Sequence, residues 1–104
     1  MKLIYENKEI NINIANTFWK RFKGFMNTTN IHEGIIFNHC SSIHTFFMKE
    51  NIDVIMLDEN NTILYYYKDL PKNKVILPKK KVSKVIELPV NYFNFKINKK
   101  IIIK

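Results

Sequence analysis

The run Ile52-Asp53-Val54-Ile55-Met56-Leu57, followed at once by Asp58-Glu59-Asn60-Asn61, limits what this chain can fold into more than any other stretch. It is the strongest strand signal present. Four consecutive turn formers then hand over to a second β-prone run, residues 62–67, so the segment predicts an antiparallel hairpin. Immediately upstream, residues 42–48 alternate Ile43, Thr45 and Phe47 with His44, Phe46 and Met48. Both faces of that pattern are largely apolar, which predicts a strand sandwiched between two layers.

The rest of the chain adds short strands. Residues 2–5 and 8–14 read as a hairpin around Asn7 at a sheet edge, the second arm alternating Ile10, Ile12 and Ile14 against Glu9, Asn11 and Asn13. Residues 33–38 contain a short buried strand, with Gly34 marking a bulge or a close backbone approach. Residues 75–77 and 83–88 add two more, the first in an exposed basic arm and the second broken by Pro89. Residues 91–95 read as a helical turn or tight loop. A closing strand at 99–104 carries lysines that would guard its apolar centre against edge-to-edge pairing. One segment changes period. Residues 16–26 place Phe18, Trp19, Phe22, Phe25 and Met26 on one side at helical spacing, so a short amphipathic helix is expected there, capped by Asn16 or Thr17 and ended near Gly24. About eight short strands and one early helix predict a mainly β sandwich or barrel. At 104 residues there is room for one core, hence a single domain over 1–104.

Charge is unevenly placed. The net charge is +8, yet from residue 68 onward eleven lysines face only Asp69 and Glu87, a net +9, while residues 1–67 come to −1. Sixteen of the seventeen basic residues are lysine, and Lys, Asn and Ile share A/T-rich codons, so genome composition alone could produce this surface. A base-reading protein would use arginine forks; nucleic acid is therefore disfavoured as a partner. With a single cysteine no internal disulfide can form. That, together with a start that shows no leader, gives a cytoplasmic expectation. No stretch approaches the ~18 apolar residues of a membrane span.

Four stretches, Arg21 to Met26, Glu33 to Phe37, Cys40 to Asp58 and Val85 to Pro89, resemble in order and spacing the family called domain of unknown function 192. The likeness runs from about residue 12 to the end. Its arginine-x-x-Gly-Leu-Met pattern falls on Arg21, Gly24, Phe25 and Met26, and its His-Thr-Phe-Phe-Met form falls on residues 44–48. The aspartate opening the next strand matches Asp53, whereas Asn51 stands where the family usually has proline. Asn98-Lys99 replaces a Gly-Asp pair, so an acidic group is lost. The resemblance implies a single-domain, jelly-roll-like β fold and no established activity.

Candidate sites follow from polar residues in apolar company. Arg21, His44, Asp53 and Glu87 each interrupt or border an apolar stretch, where polar groups must be paired or must serve a pocket. Two arrangements are open: Arg21 bridging Asp53 or Glu87 to lock helix against sheet, or a pocket for an anionic or hydrogen-bonding ligand with Arg21 as fork and His44 as titratable partner. Cys40 and His44 suggest a nucleophile and base, but four extended residues would separate them by about 13 Å. His32, His39, Cys40 and His44 lack any CxxC or HxxxH spacing, so no metal and no cofactor is expected. The leading reading is a non-catalytic module binding a protein partner or small anionic ligand in a polar pocket around His44. The alternatives are a small hydrolase using His44 with Asp53 or Cys40, and an anionic-surface binder working through the lysine-rich arm at residues 68–84.

Overall fold

The computed structural model describes residues 1–17 and 24–104. Among the described residues nine strands appear in chain order: β1 (Lys2–Tyr5), β2 (Lys8–Ile14), β3 (Gly34–Asn38), β4 (Ile43–His44), β5 (Ile52–Leu57), β6 (Ile63–Leu70), β7 (Val75–Ile76), β8 (Lys84–Leu88) and β9 (Ile102–Ile103). Seven of them form one curled sheet in the order β6-β5-β8-β3-β2-β1-β9, and β4 pairs with β7 in a separate two-stranded ribbon. All pairs are antiparallel except β2 with β3, which run parallel from Ile12 opposite Gly34 to Ile14 opposite Ile36.

The sheet curls because its two ends share one segment of chain. Residues 102–103 pair with β1, while just before them Ile63 N–H donates to the Lys99 carbonyl (2.8 Å) and Ile101 N–H to the Asn61 carbonyl (3.1 Å), at the start of β6. The C-terminal segment thus stitches the β6 end to the β1 end. The terminal strand has β1 as a backbone partner, and the segment before it meets the β6 end at residues 61–63, which leaves the sheet a curled half-barrel.

Curling produces two apolar layers. Inside lie Leu3, Ile12, Ile36, Ile55, Ile86 and Leu88, capped by Phe93 and Phe95; outside, Val54, Met56, Val85 and Phe37 are covered by Phe25, Met48 and Ile76. Strand β5 is shared by both layers and is at most 1% exposed along its whole length. That explains why, Asp53 apart, the strand is apolar throughout, since a strand covered on both faces has no wet side. Its hairpin with β6 turns at residues 58–62, where Asp58 Oδ1 accepts from the Asn60 and Thr62 amides (2.8 and 3.0 Å).

Two expectations change. The helix expected over 16–26 falls mainly on residues 18–23, which lie outside the described residues; of the remainder, Asn16 and Thr17 are extended or bent and residues 24–27 form a turn, and no described residue is helical. The strand expected over 42–48 stops at His44. Thr45 is buried, donates its hydroxyl to the Pro71 carbonyl (2.8 Å) and accepts from the Lys74 amide (2.8 Å), and Phe47 adopts φ +61°. A threonine that satisfies its hydroxyl on a neighbouring loop competes with strand continuation, and Phe46 and Phe47 turn outward. The fold is mainly β, as expected, but as one curled sheet with a ribbon and with a parallel crossover between β2 and β3.

Candidate functional site

Among the described residues, one buried acid lies on the outer face of the sheet, Glu87. On β8, Val85 and Glu87 point outward while Ile86 and Leu88 fill the interior, and Glu87 lies opposite Val54 of β5 and Ile35 of β3. It therefore sits mid-sheet, under whatever covers that face. Two pieces do. The crossover from β2 to β3 lays Gly24 and Phe25 over it, and the β4–β7 ribbon closes the other side. Between them opens a cleft of about 490 Å³ whose described lining includes Phe37, Cys40, His44, Phe46, Ile76 and Glu87.

Glu87 is 4% exposed and its Oε1 has no hydrogen-bond partner among the described residues. Burial pushes its pKa up from 4.5 to about 8, against which the hydrogen bond from the Phe25 backbone amide pulls only partly. At neutral pH the group is then mostly a neutral carboxylic acid, able to donate through O–H as well as accept. Gly24 lets the crossover come this close: it holds φ +48°, and a Cβ there would stand 2.9 Å from Glu87 Oε1 and 3.3 Å from the Phe37 ring.

His44 lies at the lip, on the last residue of β4. Its ring stacks on Phe46 (centroids 5.3 Å apart) and its Nδ1 accepts from the Phe46 amide (3.2 Å). Cys40 lines the same cleft, after a turn at His39, which holds φ +53°. Its thiol donates to the Ser42 carbonyl (3.1 Å).

Asp53 is elsewhere. It pairs opposite Leu88 on the interior side of the sheet, where Oδ1 accepts from the Asp69 amide (2.7 Å) and Oδ2 from the Asn91 amide (3.0 Å). Desolvation raises its pKa and those two amides oppose the rise. It pins the β6 bulge, where Asp69 has φ +55°, to the loop after β8. Arg21 lies outside the described residues. Of the four residues Arg21, His44, Asp53 and Glu87, then, the fold brings His44 and Glu87 to one cleft and sends Asp53 through the sheet. Gly24 and the apolar cleft walls were not read as site residues; the one available signal was the Arg-x-x-Gly pattern itself. Among the described residues no three His, Cys, Asp or Glu side chains gather as metal ligands, and no helix is long and apolar enough to cross a membrane.

A family model described as Uncharacterized ACR, DUF192, matches residues 2–101. The chain belongs to the DUF192 family. Among its relatives, a UPF0127 protein from Thermococcus sibiricus is 36% identical over 90 residues, covering 81% of this chain and 58% of its own length. The UPF0127 protein PYRAB11210 from Pyrococcus abyssi is 36% identical over 98 residues, covering 85% of this chain and 82% of its own. This DUF192 chain spans a little over half the length of the Thermococcus relatives it matches. Among solved structures, a proposed transcription regulator from Sinorhizobium meliloti superposes with TM-score 0.77 at 14% identity, covering 96% of this chain and 88% of that one. A protein of unknown function from Novosphingobium aromaticivorans does so with TM-score 0.69 at 13% identity, covering 86% and 71%. At such identities the likeness speaks for the fold alone.

Proposed function

We propose that this DUF192 domain is a non-catalytic binding module. Its cleft takes a small, largely apolar molecule, or a partner's side chain, that carries one hydrogen-bonding group, with Glu87 as the anchor and His44 at the lip. The observation that carries this reading is the Glu87 carboxyl: buried, with Oε1 unpartnered among the described residues, at the floor of an apolar cleft. A buried polar atom left without a partner costs about 1–3 kcal/mol, a cost that an incoming ligand group would relieve. A neutral carboxylic acid offers a donor and an acceptor side by side, which matches an amide or a second carboxylic acid.

Asp53 takes no part in this reading, since both its oxygens are used by backbone amides on the far side of the sheet. Cys40 shares the cleft with His44, which a hydrolytic pair would need, but its thiol donates to the Ser42 carbonyl.

The test is an NMR titration of the full chain with benzamide. Shift changes are expected to cluster at the amides of Gly24, Ile43, His44 and Ile76. Glu87→Leu should weaken binding roughly tenfold or more while leaving the fold at least as stable. Unchanged affinity in Glu87→Leu, or shifts confined to other surfaces, would overturn the reading.

A further inference from the structure

The β4–β7 ribbon exposes more apolar surface than its structural role requires. Phe46 is 41% exposed, Phe47 68%, Val75 54% and Leu77 69%, while the other face of the same ribbon is used for packing, with Ile76 and Met48 buried in the outer layer. These four side chains belong to two short neighbouring segments: Ile43 pairs with Ile76 and His44 with Val75, so the turn bearing Phe46 and Phe47 lies at the ribbon end next to residues 72–74. Phe47 holds φ +61°, a backbone region that strains a bulky side chain. The turn accepts that strain with the ring left in water.

On its β7 side the patch is flanked by charge of one sign. Residues 71–81 contain Lys72, Lys74, Lys79, Lys80 and Lys81 and no acidic residue. All are exposed except Lys79, which is half-buried with its ammonium 5.4 Å from the centre of the Tyr65 ring.

We propose that the ribbon is a docking surface for an anionic lipid membrane, with Phe46, Phe47, Val75 and Leu77 entering the headgroup–acyl boundary and the lysines resting on the headgroups. The pairing of exposed apolar side chains with a lysine-rich flank is what such a boundary rewards: apolar groups gain by leaving water, and lysines near an anionic leaflet gain by meeting its headgroups. A single-stranded nucleic acid would use the lysines and could stack on the two phenylalanines, but Val75 and Leu77 offer no π-face and the described surface there has no arginine fork. Docking in this way places the mouth of the Glu87 cleft, whose lip is built from the same ribbon, against the membrane. The proposal stands whether or not the cleft binds a ligand.

The experiment is sedimentation of the full chain with phosphatidylcholine vesicles, with and without a minority of phosphatidylglycerol, and in parallel with a single-stranded oligonucleotide. Binding should require the anionic lipid and fall steeply with added salt. Phe47→Asn, which suits the positive φ and should not unfold the protein, combined with Leu77→Ser should lower vesicle partition roughly tenfold or more. Replacing Lys79, Lys80 and Lys81 by glutamine should do likewise. Equal binding to neutral vesicles, no binding to anionic ones, or oligonucleotide binding that is tighter and indifferent to Phe47 and Leu77 would each overturn the proposal.

Discussion

A Cβ built on Gly24 would stand 2.9 Å from Glu87 Oε1, closer than real side-chain carbons approach an oxygen. Two residues 63 positions apart thus make a close approach between the crossover and the sheet. Gly24→Ala meets two penalties there, a positive φ and the carboxyl, and is expected to destabilise the fold by about 2–4 kcal/mol, read from urea unfolding. In Glu87→Ala the second penalty disappears, so Gly24→Ala should cost clearly less in that background. Equal costs in the two backgrounds would mean that the close approach is not felt.

Stability should fall as pH rises through the neutral range. The folded-state pKa of Glu87 is raised from 4.5 to about 8, so the folded chain holds a proton that the unfolded chain has released. The stabilising proton linkage is complete below pH 4.5 and is lost progressively up to about pH 8, an effect of a few kcal/mol across that window. Asp53, also raised, contributes in the same direction at more acidic pH. Unfolding free energies measured across the window should slope downward for the native sequence and lie nearly flat for Glu87→Gln.

Asp53 should behave as a structural brace. Asp53→Asn turns an acceptor into a donor opposite a backbone amide and leaves either Asp69 or Asn91 without its partner. A loss of about 1–3 kcal/mol is expected, with faster hydrogen exchange at the amides of Asp69 and Asn91 and no effect on benzamide binding. Loss of binding with the fold intact would instead return Asp53 to the site.

The seam should be as important as a core strand. Ile101 is 3% exposed and its amide bonds Asn61, while Lys104 and Lys2 exchange both backbone bonds (2.7 and 2.9 Å). Ile101→Ala should cost about 2–5 kcal/mol, and deletion of residues 101–104 should abolish cooperative thermal unfolding.

Much of this was legible in the sequence because the strands that matter alternate or are buried outright: β2 shows its wet face, β5 shows none, and the turn formers at 58–61 mark the hairpin between β5 and β6. Glu87 and Asp53 look alike in sequence, each a lone acid in an apolar run. What separates them is which face of a curled sheet each meets, and which backbone amides, 16 and 38 residues from Asp53, come back to it. Local pattern carries no record of those distances. The segment at 42–48 misleads for a related reason: Thr45 breaks the strand by bonding residues 71 and 74, partners that no alternation reveals. Gly24 reads as a helix terminator, yet it is needed for a contact made across the fold.

The carboxyl carbon of Glu87, followed by ¹³C NMR across a pH titration of the folded chain, gives the most direct reading of whether an uncompensated acid lies at the floor of the cleft. A midpoint near 8 is what burial without a full set of partners requires. A midpoint at or below the ordinary 4.5 would mean a carboxylate already paired with a cation or exposed to water, and the cleft would lose its anchor.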